Sequence, residues 1–167
     1  MMSRKVLFVL AMGIILLWLS IPASAGEGWV KYKSDDYGFS MLVPEGTKFQ
    51  EKEYEGGWGA LYANYQGIQV LALGKMGAPE KPEAIEKYGV KITGVPGEYW
   101  KVIDKGKDSN GWKWYYTVKA SDGKKVAYGG YGVGPKGSYL LVLITSKTDF
   151  EENYNDYLKW YKSIRLF

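Results

Sequence analysis

Histidine and cysteine are both missing from the 167 residues, which removes most familiar catalytic chemistry at once. Ser-His-Asp and Cys-His nucleophiles, zinc sites built on His or Cys, haem ligation by either residue and disulfides are all excluded. Carboxylates, lysines, hydroxyls and aromatics remain. Gly132-Val133-Gly134-Pro135-Lys136-Gly137 matches G-x-G-x-x-G, but a dinucleotide site needs a helix after the third glycine. Here an apolar strand pattern follows, so a hairpin turn is expected. Ser121-Asp122-Gly123-Lys124 matches S-x-x-K, whose chemistry wants Ser and Lys one helical turn apart. Asp122-Gly123 makes a tight turn instead. Calcium loops counted from Asp104 or Asp108 place Tyr115 or Lys119 where the twelfth-position Glu belongs. Adjacent Asp35 and Asp36 point apart on extended chain and read as a solvated turn.

Aromatic residues carry more information. Beyond residue 25 the chain holds six Trp, fifteen Tyr and four Phe. Most must fill a core. Trp58, Tyr128, Tyr131 and Trp160 stand out as a candidate platform for a sugar ring or peptide, because they neighbour glycines or sit beside an apolar stripe. Charge is uneven as well. Residues 98–147 hold nine Lys against four acids, whereas residues 26–97 hold eight Lys against ten acids. Lys101, Lys113, Lys119, Lys124 and Lys125 form the candidate basic surface, suited to an anionic envelope component or an acidic partner.

These side chains need elements to carry them. Strands are expected over 38–43, 48–53, 58–64 and 68–74, the last two joined by Tyr65-Gln66-Gly67. A helix opens at Pro79–Pro82, with Ile85, Tyr88 and Ile92 on one face, and ends at Gly94–Gly97. Four strands follow, over 99–105, 112–120, 125–133 and 139–144. In the second, Trp112, Trp114, Tyr116, Val118 and Ala120 share the face expected to be buried, with Lys113, Tyr115, Thr117 and Lys119 on the wetter one. Asp122-Gly123 is a strong hairpin signal. The strand over 139–144 is apolar on both faces and belongs in the centre of a sheet. Thr148 and Glu151 suggest a capping box for a last helix. Its stripe is Phe150, Tyr154, Tyr157, Leu158 and Tyr161. Residues 164–167 then leave the helix to pack on the sheet. The pattern predicts an α+β domain, an antiparallel meander sandwiched between helices.

The first 25 residues read differently. Arg4 and Lys5 precede a 14-residue apolar run, Val6 to Leu19, and Ala23-Ser24-Ala25 offers a cleavage site before Gly26. The run is short of the ~20 residues a spanning helix needs. A signal peptide over 1–25 and a single domain over 26–167 are expected. Removing Arg4 and Lys5 leaves 20 basic against 18 acidic residues, and Arg165 as the lone arginine, a poor composition for nucleic-acid binding.

The stretch Tyr32-Lys33-Ser34-Asp35-Asp36-Tyr37-Gly38-Phe39-Ser40-Met41-Leu42-Val43-Pro44-Glu45-Gly46 resembles the opening of PsbP-like domains, a group that includes PsbP and DcrB-like envelope proteins. Tyr161-Lys162-Ser163-Ile164-Arg165-Leu166 resembles how such domains close. Thr47 stands where these domains often carry Trp. The resemblance implies an α/β/α sandwich, most often serving as a non-catalytic binding or accessory module. The metal and photosystem roles of PsbP do not transfer, since no ligand position matches.

Together these readings predict an exported, periplasmic or extracellular accessory or binding module. It is expected to be non-enzymatic, without cofactor or metal, and not integral to the membrane after cleavage. Its partner is a protein or an anionic envelope component. The alternatives are an aromatic-platform binder of glycans or small ligands, and a hydrolase working through two carboxylates.

Overall fold

The computed structural model describes residues 28–167, so the expected signal peptide lies outside the described residues. The main sheet has seven antiparallel strands in the order β3-β4-β5-β9-β8-β7-β6. Its members are β3 (Lys48–Glu53), β4 (Gly59–Tyr65), β5 (Ile68–Met76), β6 (Trp100–Ser109), β7 (Trp112–Ser121), β8 (Lys125–Val133) and β9 (Gly137–Ser146). A smaller sheet joins β1 (Trp29–Ser34), β2 (Phe39–Pro44) and β10 (Arg165–Leu166) in the order β1-β2-β10. The helices are α1 (Pro82–Thr93), α2 (Lys147–Glu152) and α3 (Tyr154–Ser163).

Strand β9 is central, between β5 and β8. Its apolar residues alternate between two cores. Tyr139, Leu141 and Leu143 join the core under α2, α3 and the small sheet. Leu140, Val142 and Ile144 join the core under α1. Helix α1 presses Ile85 into the latter, with Tyr88 and Ile92 beside it. It stops at Gly94, whose left-handed conformation returns its N–H to the Val90 carbonyl. The chain therefore runs β3-β4-β5, crosses along α1 to the far edge, and meanders back through β6, β7 and β8 to set β9 against β5.

Three of the motifs weighed for chemistry are turns here. Gly132–Gly137 is the β8–β9 turn, with the Gly134 N–H donating to the Gly137 carbonyl at 2.9 Å. Asp122 caps the β7–β8 turn, accepting from the Lys124 and Lys125 N–H groups at 2.9 Å each. Asn110 and Gly111, both at positive φ, close the β6–β7 hairpin.

Three expectations need correction. The layer opposite α1 is shared by helices and a second sheet, so one sheet between two helical layers is too simple a description. The final helix is two helices meeting at Asn153, and the N-cap is Ser146, not Thr148; its hydroxyl accepts from the Asp149 N–H. The buried stripe accordingly runs Phe150, Tyr157, Trp160 and Ile164, while Tyr154 is exposed. In β7, Trp112 joins the core beneath α3 with Tyr115 and Tyr139, whereas Trp114 lies half-buried on the opposite side with Tyr116. Trp112 stands at the strand end, beyond the last β7–β8 pair, Trp114 with Val133. It still pairs with Ser109 of β6, but Asp108 and Asn110 on that strand and its turn stand at positive φ, so the regular pleat ends here.

Candidate binding cleft

Strand β6 is an edge strand, exposed over most of its length. Its pairing with β7 contains a bulge: Val102 faces Val118, but Asp104, not Ile103, faces Thr117. In an uninterrupted strand Asp104 would lie on the face opposite Lys101. The extra residue carries it to the same face as Lys101, whose partner is Lys119. Both Ile103 and Asp104 then line a cleft of about 400 Å³ between the β6–β7 ribbon and α3.

The rest of the cleft is aromatic. Tyr128 from β8, Tyr115 and Thr117 from β7, and Tyr154 and Tyr161 from α3 surround it. The Tyr128 ring lies 5.7 Å from that of Tyr161 at 64° and 6.3 Å from that of Tyr154 at 63°. Glycines make room for this crowding. A Cβ at Gly130 would meet the Tyr161 hydroxyl at 2.7 Å, and one at Gly106 would meet the Tyr115 hydroxyl at 2.6 Å. Thr117 and Tyr161 share a hydrogen bond of 2.8 Å. Burial pushes the Tyr161 hydroxyl up to about 12, despite its hydrogen bond with Thr117, and the Asp104 charge adds to the rise. Burial also raises Tyr128, with Tyr154, Tyr161 and Asp104 contributing. These phenols stay neutral at ordinary pH. Asp104 makes no ion pair among the described residues.

A second, more open depression of about 540 Å³ lies between α1 and the β3–β4 connection. There Trp58 stacks on Tyr88 at 4.9 Å and 7°. Its charges are largely matched, Lys75 with Glu80 at 2.5 Å and Lys91 with Glu55.

Comparison with solved structures places this architecture. The chain matches the solution structure of cyanobacterial PsbP (CyanoP) from Synechocystis sp. PCC 6803 with a TM-score of 0.55. The match covers 89% of this chain and 98% of that one at 11% sequence identity. The fold is PsbP-like. No protein-family model and no curated protein sequence matches the chain. The likeness concerns the fold alone, so the cleft is read from its own residues.

The PsbP-like frame places the four platform aromatics in the interior, none more than 5% exposed. Trp58, Tyr131 and Trp160 are core, and Tyr131 donates to Glu86 at 2.8 Å. Tyr128 alone reaches the cleft, as its floor. An open platform built from these four is therefore corrected: burial of their faces outweighs any rim position. The lysines divide. Lys101 and Lys119 face each other across β6 and β7, and Lys119 also lies 4.7 Å over the Phe150 ring. Lys113 is six residues along β7, roughly 20 Å away. Lys124 sits on the turn, and Lys125 donates to the Thr93 carbonyl at 3.0 Å, at the end of α1. They do not make one patch. Sequence reasoning passed over Asp104, Tyr115, Tyr154 and Tyr161 as a group. Their only common signal was an aspartate set among lysines on a strand whose bulge no residue pattern announced.

Proposed function

We propose that this is an exported accessory or binding module of the cell envelope or extracellular space, acting without catalysis, whose ligand enters the cleft between β6, β7 and α3. The observation that carries the reading is the bulge-delivered Asp104 carboxylate facing a wall of neutral tyrosines. Such a site offers apolar faces with a few polar groups, the usual make-up of a ligand pocket. The binding role is what the resemblance of residues 32–46 and 161–166 to PsbP-like domains implies. Export rests on the Arg4-Lys5 start, the apolar run and Ala23-Ser24-Ala25. Among the described residues no helix is long and apolar enough to cross a membrane.

The chemistry of the site favours binding over hydrolysis. A two-carboxylate hydrolase needs an acid and a base across one cleft, and Asp104 is the single carboxylate lining this one among the described residues. Asp149 shares another hollow with Asp156, but it is committed to hydrogen bonds from Thr145 at 2.5 Å, Asn153 at 2.9 Å and Tyr157.

The test is native mass spectrometry of protein purified from its own host, as wild type and as the Asp104→Lys, Tyr154→Ala double variant. Wild type is expected to begin at Gly26 and to carry a ligand that the variant lacks. A chain beginning at Met1 in the membrane fraction would overturn export. Identical spectra of the two forms under every loading condition would overturn the cleft as the binding site.

A further inference from the structure

We infer that this chain pairs with a second copy of itself along β6, about a two-fold axis at Val102, to give one continuous sheet through both molecules. This goes beyond the reading of the cleft, since it concerns the outer edge of the strand and holds whatever the cleft binds.

Strand β6 ends the seven-stranded sheet, and seven of its ten residues are exposed. Its outward N–H and C=O groups meet no strand among the described residues, which leaves a template for pairing. Apolar surface gathers at the same place. Of the seven large apolar residues exposed among the described residues, Tyr99, Val102 and Ile103 stand on or next to this strand. Tyr154 stands on the α3 lip of the cleft that Ile103 lines. Such a concentration marks an interaction surface.

The charges of the strand select its partner. Strand β7 serves as a ruler: Trp100 stands level with Ala120, Lys101 with Lys119, Val102 with Val118, Asp104 with Thr117 and Lys105 with Tyr116. Lys101 and Asp104 are therefore one level either side of Val102, on one face of the sheet. Trp100 and Lys105 are two levels either side, on the other face with Val102. A two-fold axis normal to the sheet at Val102 sets Lys101 opposite Asp104 of the second copy, twice over. It sets Trp100 opposite Lys105 of the second copy, again twice, and Val102 against its own copy. The bulge makes the pattern fit. An uninterrupted strand would set Lys101 against Ile103 and Trp100 against Asp104. Lys101 also stands opposite Lys119 in its own chain, a like-charge pair that Asp104 of the second copy would relieve.

Other axis positions fail on charge or on pleat. Centred on Lys101, Asp104 or Lys105, β6 meets its copy with like charges face to face. An axis between two levels would set side chains of opposite faces against each other. The opposite edge, β3, offers no match of this kind. Centred on Gln50 it sets Lys48 against Lys52, and centred on Glu51 or Lys52 it sets like charges on the axis. Its exposed Phe49 already stacks on Tyr32 at 5.1 Å. Lysines and bulges usually guard an edge against pairing. On β6, Lys101 and Lys105 each meet an opposite charge or an aromatic ring of the second copy.

Six residues a side bury less than a standard interface, so the dimer is expected to be reversible. Sedimentation equilibrium of the purified protein should show the average mass rising with concentration toward that of two chains. Lys101→Asp and Asp104→Lys alter exposed residues, so circular dichroism should be unchanged. Each alone is expected to weaken dimerisation about tenfold, because two attractive pairs become two repulsive ones. An equimolar mixture of the two variants should dimerise again, since each then meets its opposite. The chain has no cysteine, so Val102→Cys places a lone thiol on the axis, within disulfide reach of its copy. It should yield a linked dimer on oxidation. Lys107→Cys, on the same strand beside Trp114 but about 27 Å from its copy, should not. A wild type that stays monomeric up to about 1 mM would overturn self-pairing and leave the edge to a strand of another protein. A dimer that neither reversal weakens, or that Lys107→Cys links as readily as Val102→Cys, would overturn this edge as the contact.

Discussion

Asp149 sits where β9 turns into α2 and gathers hydrogen bonds from Thr145, Tyr157 and Asn153. Its partial burial acts to raise its pKa. The three donors together outweigh this, and the carboxyl is held below the usual range. A carboxylate with a lowered folded-state pKa stabilises the fold above its unfolded value, near 3.9, and that contribution is lost as pH falls through the lower folded value. Asp149→Asn should therefore lower the urea midpoint at pH 7 and flatten its fall between about pH 4 and 2. An unchanged acid limb would show that the cluster contributes nothing. Trp112 and Trp114 offer a second comparison at this scale. Trp112 is 5% exposed and meets the Tyr139 ring edge-on at 6.1 Å, whereas Trp114 is only half-buried at the rim of the other core. Trp112→Ala should cost about 3–5 kcal/mol, as truncation of a buried aromatic does, and Trp114→Ala clearly less. Denaturant melts in the opposite order would mean the two side chains have been assigned to the wrong cores.

Among the elements, the two-residue strand β10 does more than its length suggests. It pairs with β2 through Arg165–Ser40 and Leu166–Phe39. The Leu166 N–H also donates to the Asn110 carbonyl at 2.9 Å, in the turn between β6 and β7. The C-terminus thus ties the small sheet to the far end of the meander. Gly111 is needed there twice over: its φ is +86°, and a Cβ would meet the Leu166 carbonyl oxygen at 2.0 Å. Deleting residues 165–167 should remove this tie and a buried leucine together, at a cost of about 2–5 kcal/mol. Hydrogen exchange should rise most in β2 and in the 108–112 turn. Uniform exchange across the chain would deny the strand this bracing role.

Across the whole molecule the interior is held by tyrosine as much as by aliphatic residues. Burial pushes Tyr32, Tyr139 and Tyr161 up to about 12 and raises Tyr128, Tyr131 and Tyr157 as well. For each the folded-state value lies above the unfolded value of about 10. The stabilisation is complete below pH 10 and is lost as pH rises toward the folded values. Alkaline titration followed by tyrosinate absorbance should show an exposed subset ionising near pH 10. The remainder should appear cooperatively with the loss of circular dichroism. Smooth ionisation of all fifteen tyrosines without unfolding would contradict a tyrosine-packed core.

Local patterning decided much of this architecture, because the physics behind it is local. The double apolar character of residues 139–144 required a central strand, and Asp122-Gly123 and Asn110-Gly111 required hairpins whatever surrounded them. Ile85, Tyr88 and Ile92 marked the face of α1 by spacing alone. What only the tertiary structure decided depends on contacts between residues far apart in the chain. The second sheet exists because residues 165–166 return to residues 39–40, a pairing no window of sequence contains. The platform aromatics became interior because helices and sheets closed over both of their faces. Asp104 reached the cleft because a bulge at Ile103 shifted the register against β7. A register belongs to a pair of strands, and a single strand's alternation, which gave Asp104 to the other face, cannot express it.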